Sequence, residues 1–294
     1  MGMFERIERD AGVSGLVEIL AALAPSDLQS VLLGVYRLRA DNLQPAQVLR
    51  RYEQDRFSVL PASDPRALMA FDLQAFTVLA ELGFTTVELS PVCPLGTVST
   101  VATVNQNKVV TTARNGEVVA DPTNVLALEA AVRRRTQGVV RLATSHRVVR
   151  AQMFDQPGAL PHFRLLALAT AGRDRGSKRF ELAALAEHLD AYLRLVEGLR
   201  VELTELPDGP RTQDLEEQVI GPLTERYPNA SIGLDNSRES GRGYYIAACF
   251  KLRLGGVEVG DGGFTTWTRR LLGNAKERLL ISALAQERTL QVLK

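Results

Sequence analysis

Three arginines in residues 145–170 have a spacing that suits the recognition of an anion. Arg147, Arg150 and Arg164 stand in two apolar runs that flank a Gln-Pro-Gly-containing turn, a pattern typical of a β-hairpin. The planar guanidinium group matches phosphate oxygens, and Phe163 offers a ring that can cover an adenine. An amphipathic hairpin with solvated arginines explains the same spacing, so a polyphosphate site and a plain surface hairpin both stay open.

The elements that would position this hairpin follow an irregular order. Residues 1–60 have the pattern of an N-terminal helical segment, and a proline-rich stretch separates them from a main domain over 61–294. The predicted order of helices and strands excludes a regular β-α-β alternation. It predicts an α+β fold, a mostly antiparallel β-sheet flanked by helices. Within the main domain we predict helices over 65–82, 124–135, 180–199, 212–226 and 268–293, and strands or hairpins over 84–89, 98–120, 145–170, 200–206, 231–236 and 243–264.

The composition excludes several function classes. The 294 residues carry 35 basic and 34 acidic side chains, and the resulting net charge of +1 gives no global attraction for nucleic acid or an anionic membrane. Cys93 and Cys249 stand in separate apolar runs, which predicts reduced core thiols, and no His/Cys spacing indicates a metal site. The start of the chain lacks a signal-peptide core, and no run reaches the ~20 apolar residues of a membrane span. We therefore expect a cytoplasmic protein without membrane contact or a structural metal.

The glycine-rich loops that most often cradle phosphate are missing from the sequence. There is neither a Gly-x-x-x-x-Gly-Lys-Ser/Thr loop nor a Gly-x-Gly-x-x-Gly run, and no Gly-x-Ser-x-Gly elbow marks a serine hydrolase. Neither of the two common glycine-rich phosphate-binding loops is therefore expected here.

Several short motifs resemble, in order, the catalytic core of class II aminoacyl-tRNA synthetases, and within it histidyl-tRNA synthetase and its paralogues. GFTTVELSPV is similar to the first class motif, which implies a homodimer formed through the helix-strand unit at 67–91. HRVVRAQ with PHFRLL is similar to the second motif, and GNAKERLLISAL to the third. GRGYYIAACFKLRL with DGGF is similar to a segment of the histidyl branch. The likeness runs from about Pro65 to Lys294, so we expect the synthetase core fold and no anticodon-binding domain.

The resemblance also implies site residues. Arg147 matches the arginine that holds the α-phosphate of ATP, Phe163 the phenylalanine that stacks on adenine, and Arg278 the arginine that contacts the γ-phosphate. ATP with Mg²⁺ is the implied cofactor, and Arg147 and Arg278 are the implied catalytic residues. Further nucleotide contacts are expected at Arg150 and Glu277, and a pocket for the second ligand at Asp121, Thr123, Tyr244, Tyr245, Arg238 and Arg242.

Other positions depart from the histidyl pattern. Leu165 and Ala169 stand where the family places the polar residues that hold the substrate amino group, and Ser240 replaces its catalytic arginine. Arg238 and Arg242 are the two candidates to replace that arginine. A pocket that has lost its buried polar partners loses discrimination by orders of magnitude. We therefore do not expect this protein to charge tRNA with histidine.

Two functions remain open from the sequence. In the first, the protein binds ATP or a related nucleotide and a small carboxylate or amino acid, and activates the carboxylate as an acyl-adenylate. In the second, it is a non-catalytic subunit that resembles the regulatory subunit of ATP phosphoribosyltransferase in histidine biosynthesis and binds a partner protein. A nucleic-acid-binding role is the least favoured of all, because the charge is near neutral and basic and aromatic residues are not interleaved.

Overall fold

A computed structural model describes residues 2–154, 159–241 and 243–293. The helices are α1 (Met3–Ala11), α2 (Leu16–Ala21), α3 (Pro25–Asp41), α4 (Pro45–Gln54), α5 (Pro65–Glu81), α6 (Pro122–Arg133), α7 (Arg179–Leu195), α8 (Thr212–Leu215), α9 (Gly221–Arg226), α10 (Trp267–Leu272) and α11 (Gln286–Val292). The strands are β1 (Thr85–Thr86), β2 (Val92–Pro94), β3 (Gly116–Val118), β4 (Val140–Val149), β5 (His162–Arg173), β6 (Arg200–Glu205), β7 (Ser231–Leu234), β8 (Ile246–Leu254), β9 (Val257–Thr265) and β10 (Glu277–Ala285).

An eight-stranded sheet forms the centre of the molecule. Its strand order is β1-β4-β5-β10-β9-β8-β6-β7. Only the two outermost pairs, β1 with β4 and β6 with β7, are parallel, and the inner pairs are antiparallel. The predicted α+β fold with a mostly antiparallel sheet is therefore confirmed.

The arginine-bearing stretch is a long hairpin, as predicted. Strand β4 pairs with β5 from Val140 opposite Ala171 to Val149 opposite His162. Side chains alternate between the two faces of a strand, so β5 contributes to two cores. Leu166 and Leu168 pack in the cluster that contains α5 and α7, whereas Ala167 and Ala169 pack in the cluster that contains α6. The Gln-Pro-Gly turn lies outside the described residues.

The C-terminal region differs from the prediction of one long helix over 268–293. It contains a short helix α10, then strand β10, then helix α11. The run LLISALA in β10 is apolar on both faces, and such a run does not distinguish a buried strand from a buried helix. The run forms a strand because its backbone pairs with β5 on one side and with β9 on the other.

The predicted hairpins over 98–120 are confirmed only around the Arg114-Asn115-Gly116 turn, where Thr111 is bridged to Glu117. Strand β3 also pairs with β2, which precedes this region, and Thr97–Val101 forms a π-helical turn. The carboxylate of Glu117 is buried at its centre. It accepts hydrogen bonds from the Gly96 amide at 3.0 Å, the Val98 amide at 2.8 Å and Gln106 Nε2 at 2.8 Å. A buried carboxylate held by three donors organises the loop in place of a strand ladder.

Four helices precede the main domain, and none of the described residues of α1–α4 is buried. This segment is attached by polar contacts: Arg56 donates to the carbonyls of Ala151 at 2.5 Å and Gln152 at 2.9 Å, and Asn115 Nδ2 donates to Pro25 at 2.9 Å. The division at residue 60 stays a prediction.

No helix among the described residues is both long enough and apolar enough to cross a membrane. The side chains of Cys93 and Cys249 are both buried, in agreement with the expectation of core thiols.

Candidate ligand-binding site

The α6 face of the sheet carries most of the predicted ligand-pocket residues. Asp121 caps α6, and its Oδ1 accepts hydrogen bonds from the Thr123 amide at 2.9 Å and the Thr123 hydroxyl at 2.7 Å. A side-chain cap of this kind satisfies one of the free amides of the first helical turn and fixes where the helix begins. Its second oxygen, Oδ2, lies 3.5 Å from Nη2 of Arg150. The helix start is therefore joined to the end of strand β4.

Arg150 and Phe163 form a platform beside this helix start. The guanidinium carbon of Arg150 lies 5.1 Å from the centre of the Phe163 ring, and Arg150 Nε donates to the Ala120 carbonyl at 3.0 Å. Phe154 contacts Phe163 edge to face at 6.3 Å between ring centres. A guanidinium next to an aromatic ring provides two contacts for a nucleotide: flat surfaces for the base and charged donors for the phosphate.

A second group of polar residues surrounds Asp261 on β9. The Tyr245 hydroxyl donates to Asp261 Oδ2 at 3.1 Å, and Arg238 Nη2 lies 3.6 Å from the same oxygen. The Tyr245 ring packs directly on Gly263, where a Cβ would lie 2.6 Å from two of the ring carbons. Only glycine at this position leaves room for the tyrosine, which explains the glycine-rich strand.

The Asp261 carboxyl has a raised pKa. Although 42% of its side chain is exposed, the surrounding protein atoms desolvate the carboxylate and raise the pKa, while the Tyr245 hydroxyl and Arg238 act in the opposite direction. Burial likewise raises the pKa of Tyr244 and of Tyr245, so both phenols stay protonated near neutral pH. The two tyrosines, which contact each other edge to face at 4.9 Å, therefore serve as walls and hydrogen-bond donors.

Two adjoining cavities, each of about 330 Å³, open between these groups. Asp121, Arg150 and Asp261 line both of them. We call the first the base lobe; it is further lined by Phe163, Leu165, Glu287 and Arg288. We call the second the tyrosine lobe; it is further lined by Tyr244, Tyr245, Asn124 and a set of valines. Each volume lies within the range of small-ligand pockets, and together they form a two-part site.

Arg147 does not line either lobe. It is paired with Arg164 across the hairpin and so points to the face opposite Phe163. There its Nη2 donates to Glu287 Oε1 at 2.6 Å and its Nη1 lies 3.2 Å from His162 Nδ1. Arg147 therefore holds the carboxylate of Glu287 in place, and its own positive charge is already paired with that carboxylate.

Arg278 and Glu277 lie at the other end of the sheet. On the two sides of β5, Arg278 pairs with Gly172 and Arg147 pairs with Arg164. Gly172 and Arg164 are eight residues apart, and eight residues of extended strand span about 27 Å. Arg278 donates to Asp174 at 2.9 Å and to Glu181 at 3.1 Å, and Glu277 forms a buried ion pair with Arg134 at 2.9 Å. The structure therefore does not bring Arg147 and Arg278 together, although the resemblance implies that both contact one nucleotide.

Sequence reasoning missed the pair Glu287-Arg288, which follows the same strand ten residues after Glu277-Arg278. It lies at the junction of β10 and α11, and both side chains line the base lobe. Arg288 Nη1 donates to the Glu258 carbonyl at 3.0 Å. The signal was a second Glu-Arg dipeptide after an apolar run, and the prediction of one continuous helix concealed it.

The remaining predicted residues divide into two groups. Arg238 lies at the Asp261 end of the site, whereas Arg242 lies outside the described residues. Leu165 lines the base lobe, and Ala169 is fully buried against the α6 core. No group of three or more His, Cys, Asp and Glu side chains among the described residues is arranged to hold a metal ion.

No family model matches the sequence, and a comparison with curated proteins finds no significant match. Solved structures do match. A protein from Bacillus halodurans described as an ATP phosphoribosyltransferase regulatory subunit/histidyl-tRNA synthetase is 14% identical with a TM-score of 0.61, over 82% of this chain and 83% of that one. Apo histidyl-tRNA synthetase from S. aureus is 14% identical with a TM-score of 0.59, over 80% and 70% of the two chains.

A pyrrolysyl-tRNA synthetase from Desulfitobacterium hafniense is also similar, at 13% identity and a TM-score of 0.52, over 84% of this chain and 74% of that one. At such identities the likeness establishes the fold. The chain has the class II synthetase catalytic-core fold that its motifs predicted, and the likeness to histidyl-type cores covers most of its length.

Proposed function

We propose that this protein is a cytoplasmic histidyl-tRNA synthetase paralogue that binds ATP or a related nucleotide in the base lobe and a small carboxylate, such as an amino acid, in the tyrosine lobe. The observation that carries the proposal is the guanidinium of Arg150 held 5.1 Å above the Phe163 ring, with Arg288 lining the same cavity. An aromatic face and two arginines in one cavity suit a base with phosphates attached.

The nucleotide contacts in this proposal differ from those expected from the motifs alone. Arg150 and Arg288 take the roles that the sequence assigned to Arg147 and Arg278, because only the former two line the lobe of Phe163. Glu287 lines the same cavity and is fixed by Arg147 and by the Arg164 amide at 2.5 Å. Mg²⁺ carried by the phosphates would neutralise their charge. The carboxylates that line the lobe, Glu287 and Glu258, are paired with Arg147 and Lys251 and so shape the lobe instead of holding the ion.

The tyrosine lobe supplies the second half of the site. Its valine side chains suit an apolar group, and Asp121 and Asp261 present acidic acceptors for a ligand amine. Arg150 lines both lobes, so a carboxylate in the tyrosine lobe and a phosphate in the base lobe would share one cation. Such sharing brings the two ligands within reach of each other.

This geometry is compatible with adenylation. In that reaction a carboxylate oxygen of the ligand attacks the α-phosphorus of ATP, the bond to the β-phosphate oxygen breaks, and pyrophosphate leaves with the electron pair. Arg150 would stabilise the charge that develops on the α-phosphoryl oxygens. Pyrophosphate exchange measured across the amino acids separates an adenylating enzyme from a ligand-binding protein.

A non-catalytic regulatory role is the second candidate. It is favoured by the likeness to the Bacillus halodurans protein, whose description includes an ATP phosphoribosyltransferase regulatory subunit. Co-purification of a phosphoribosyltransferase, together with an absence of pyrophosphate exchange for every amino acid, would support this candidate over adenylation.

Nucleotide binding is tested by calorimetric titration of the full chain with ATP and Mg²⁺. We expect Phe163→Ala to weaken ATP binding by about 10-fold or more, through the loss of 1–3 kcal/mol of stacking. Arg288→Gln should weaken the binding of ATP more than the binding of adenosine, because the substitution removes a contact to the phosphates. The matched control is Arg278→Gln, which should leave ATP affinity unchanged. Equal losses for Arg278→Gln and Arg288→Gln, or no ATP binding by the unaltered protein, would refute the assignment.

A further inference from the structure

A separate cavity of about 460 Å³ lies at the end of the sheet where β5 ends and β10 begins. We call it the far-end pocket. One wall is apolar and is formed by Leu206, Pro207, Ile246 and Phe264. Its polar wall carries Lys178, Glu181, Asp208, Arg269, Glu277 and Arg278. Neither Phe163 nor Arg150 lines it, so it is distinct from the two-part site.

Two of the charged groups in the polar wall are already satisfied by the protein. Glu277 is paired with Arg134 at 2.9 Å and with Arg173 at 3.2 Å. Arg278 is paired with Asp174 and Glu181, and it also donates to the carbonyl of Ala275. These groups shape the pocket and have little capacity left for a ligand.

Glu181 retains an unused acceptor. Its side chain is 1% exposed, and Oε1 accepts from Arg278 Nε at 3.1 Å. Its other oxygen, Oε2, is buried and has no hydrogen-bond partner among the described residues. A buried carboxylate oxygen without a donor is costly, and such an atom in a native protein calls for an explanation. A donor brought by a ligand provides one.

Two cations in the same wall lack an acidic partner. Lys178 Nζ donates to the backbone carbonyl of Asp208, and within the described part of the chain neither Lys178 nor Arg269 forms an ion pair. Besides the paired Glu277 and Arg278, the pocket therefore presents two cations, the unpartnered Oε2 of Glu181 and the side chain of Asp208 opposite an apolar wall. This arrangement is complementary to a zwitterion with an apolar side chain.

The backbone around the far-end pocket is also unusual. Lys178, Asp208 and Ala247 line it, and all three have positive φ, at 53°, 63° and 61°. They make up half of the six non-glycine residues with positive φ in the described chain. Gly209 packs so closely on Ala247 that a Cβ would lie 1.7 Å from the carbonyl oxygen. Strained backbone of this kind persists where the surrounding structure holds it, and it clusters at ligand sites.

We infer that the far-end pocket binds a free α-amino acid with an apolar side chain. The ammonium group donates to Glu181 and Asp208, the carboxylate meets Lys178 and Arg269, and the side chain lies against Leu206 and Phe264. This pocket is separate from the proposed nucleotide and carboxylate site, and the inference does not require that a nucleotide binds there. The two are adjacent through Tyr245, which lines both the far-end pocket and the tyrosine lobe, so occupancy of one can be sensed at the other.

The test is calorimetric titration of the full chain with L-leucine. Isocaproate, which lacks the ammonium group, and isoamylamine, which lacks the carboxylate, serve as matched probes. We expect L-leucine to bind and each analogue to bind at least about 10-fold more weakly, since each loses a charge-assisted contact. Arg269→Gln and Glu181→Gln should each weaken L-leucine by a similar factor, whereas the exposed control Arg135→Gln should not.

Asp121→Asn, in the tyrosine lobe, distinguishes the two sites. Binding that survives Asp121→Asn and is lost in Arg269→Gln and Glu181→Gln supports the far-end pocket, whether or not ATP binds. The inference is overturned if L-leucine does not bind, if its affinity is the same in Arg269→Gln and Glu181→Gln as in the unaltered chain, or if Asp121→Asn removes it. A thermal melt of each variant confirms that the protein titrated is folded.

Discussion

Individual residues in this protein often have a role set by their partners more than by their type. Arg147, Arg150 and Arg278 are chemically identical, yet the first supports Glu287, the second covers Phe163 and the third is held by Asp174 and Glu181. The acceptors within reach decide which guanidinium is available to a ligand. The resemblance to the synthetase motifs assigned the phosphate role to Arg147 and Arg278, both of which are paired with acidic side chains of the protein in the structure.

His188 shows the same dependence on surroundings. It is completely buried beneath the sheet, where Nε2 lies 2.9 Å from the Thr170 hydroxyl and Nδ1 lies 2.8 Å from the Ser282 hydroxyl. Burial, with a smaller contribution from Arg141, lowers its pKa from 6.5 to about 3. The imidazole is therefore neutral in the folded protein across the physiological range.

This pKa predicts how stability depends on pH. Below 6.5 the unfolded chain binds a proton at His188 that the folded chain does not bind, so the free energy of unfolding falls as the pH drops toward 3. The expected loss is up to about 1.4 kcal/mol per pH unit from this group. His188→Gln, which keeps a hydrogen-bonding side chain, should flatten the slope in urea unfolding between pH 6.5 and 4. An unchanged slope in the variant would show that another group is responsible.

At the scale of elements, β10 is the strand that connects the parts of the site. It pairs with β5 and β9, and it carries one Glu-Arg dipeptide at its start and a second just beyond its end. The first is joined to the end of α6 by the buried Arg134–Glu277 pair. The second lines the base lobe. Helix α6, whose N-terminus carries Asp121, is therefore fixed at both ends relative to the sheet.

The Arg134–Glu277 pair predicts a large effect on stability. Glu277→Gln leaves the Arg134 guanidinium, 3% exposed, without its counter-charge. Removing one partner of a buried ion pair costs about 3–5 kcal/mol, and we expect a loss of this size in urea unfolding. The double variant Arg134→Met/Glu277→Leu should recover much of it. A loss below about 1 kcal/mol in Glu277→Gln would mean that Arg134 is solvated or paired elsewhere.

At the scale of the whole molecule, the general architecture could be predicted and the site only in part. Alternating and apolar runs identified the β4–β5 hairpin, helix α5 and the antiparallel sheet, because local periodicity reports on burial. The strand β10 could not be distinguished from a helix, since both of its faces are buried. Because this strand was predicted as part of a helix, Glu287 and Arg288 were not assigned to the site, and one side of the base lobe was missed.

The first class motif leads us to propose a homodimer. Helix α5 carries Met69 and Leu73 four residues apart, 66% and 72% exposed, on the side away from the core. Apolar residues at this spacing form a continuous surface suited to a symmetric contact. We expect a dimer by light scattering coupled to size-exclusion chromatography, and a monomer for Leu73→Glu. The control Leu60→Glu, 77% exposed but outside 67–91, should remain dimeric. A monomeric unaltered chain would remove the proposal.

The position of β10 has a consequence for how the chain is made. It is the last strand in chain order, yet it lies between β5 and β9 in the middle of the sheet. Until it emerges from the ribosome, the earlier strands can form only two separate half-sheets, one with β1, β4 and β5 and the other with β6 to β9. Both halves would then expose an unpaired edge during synthesis. Completion of the core therefore waits until residues 277–285 have been synthesised, and until then both half-sheets remain open to incorrect pairing.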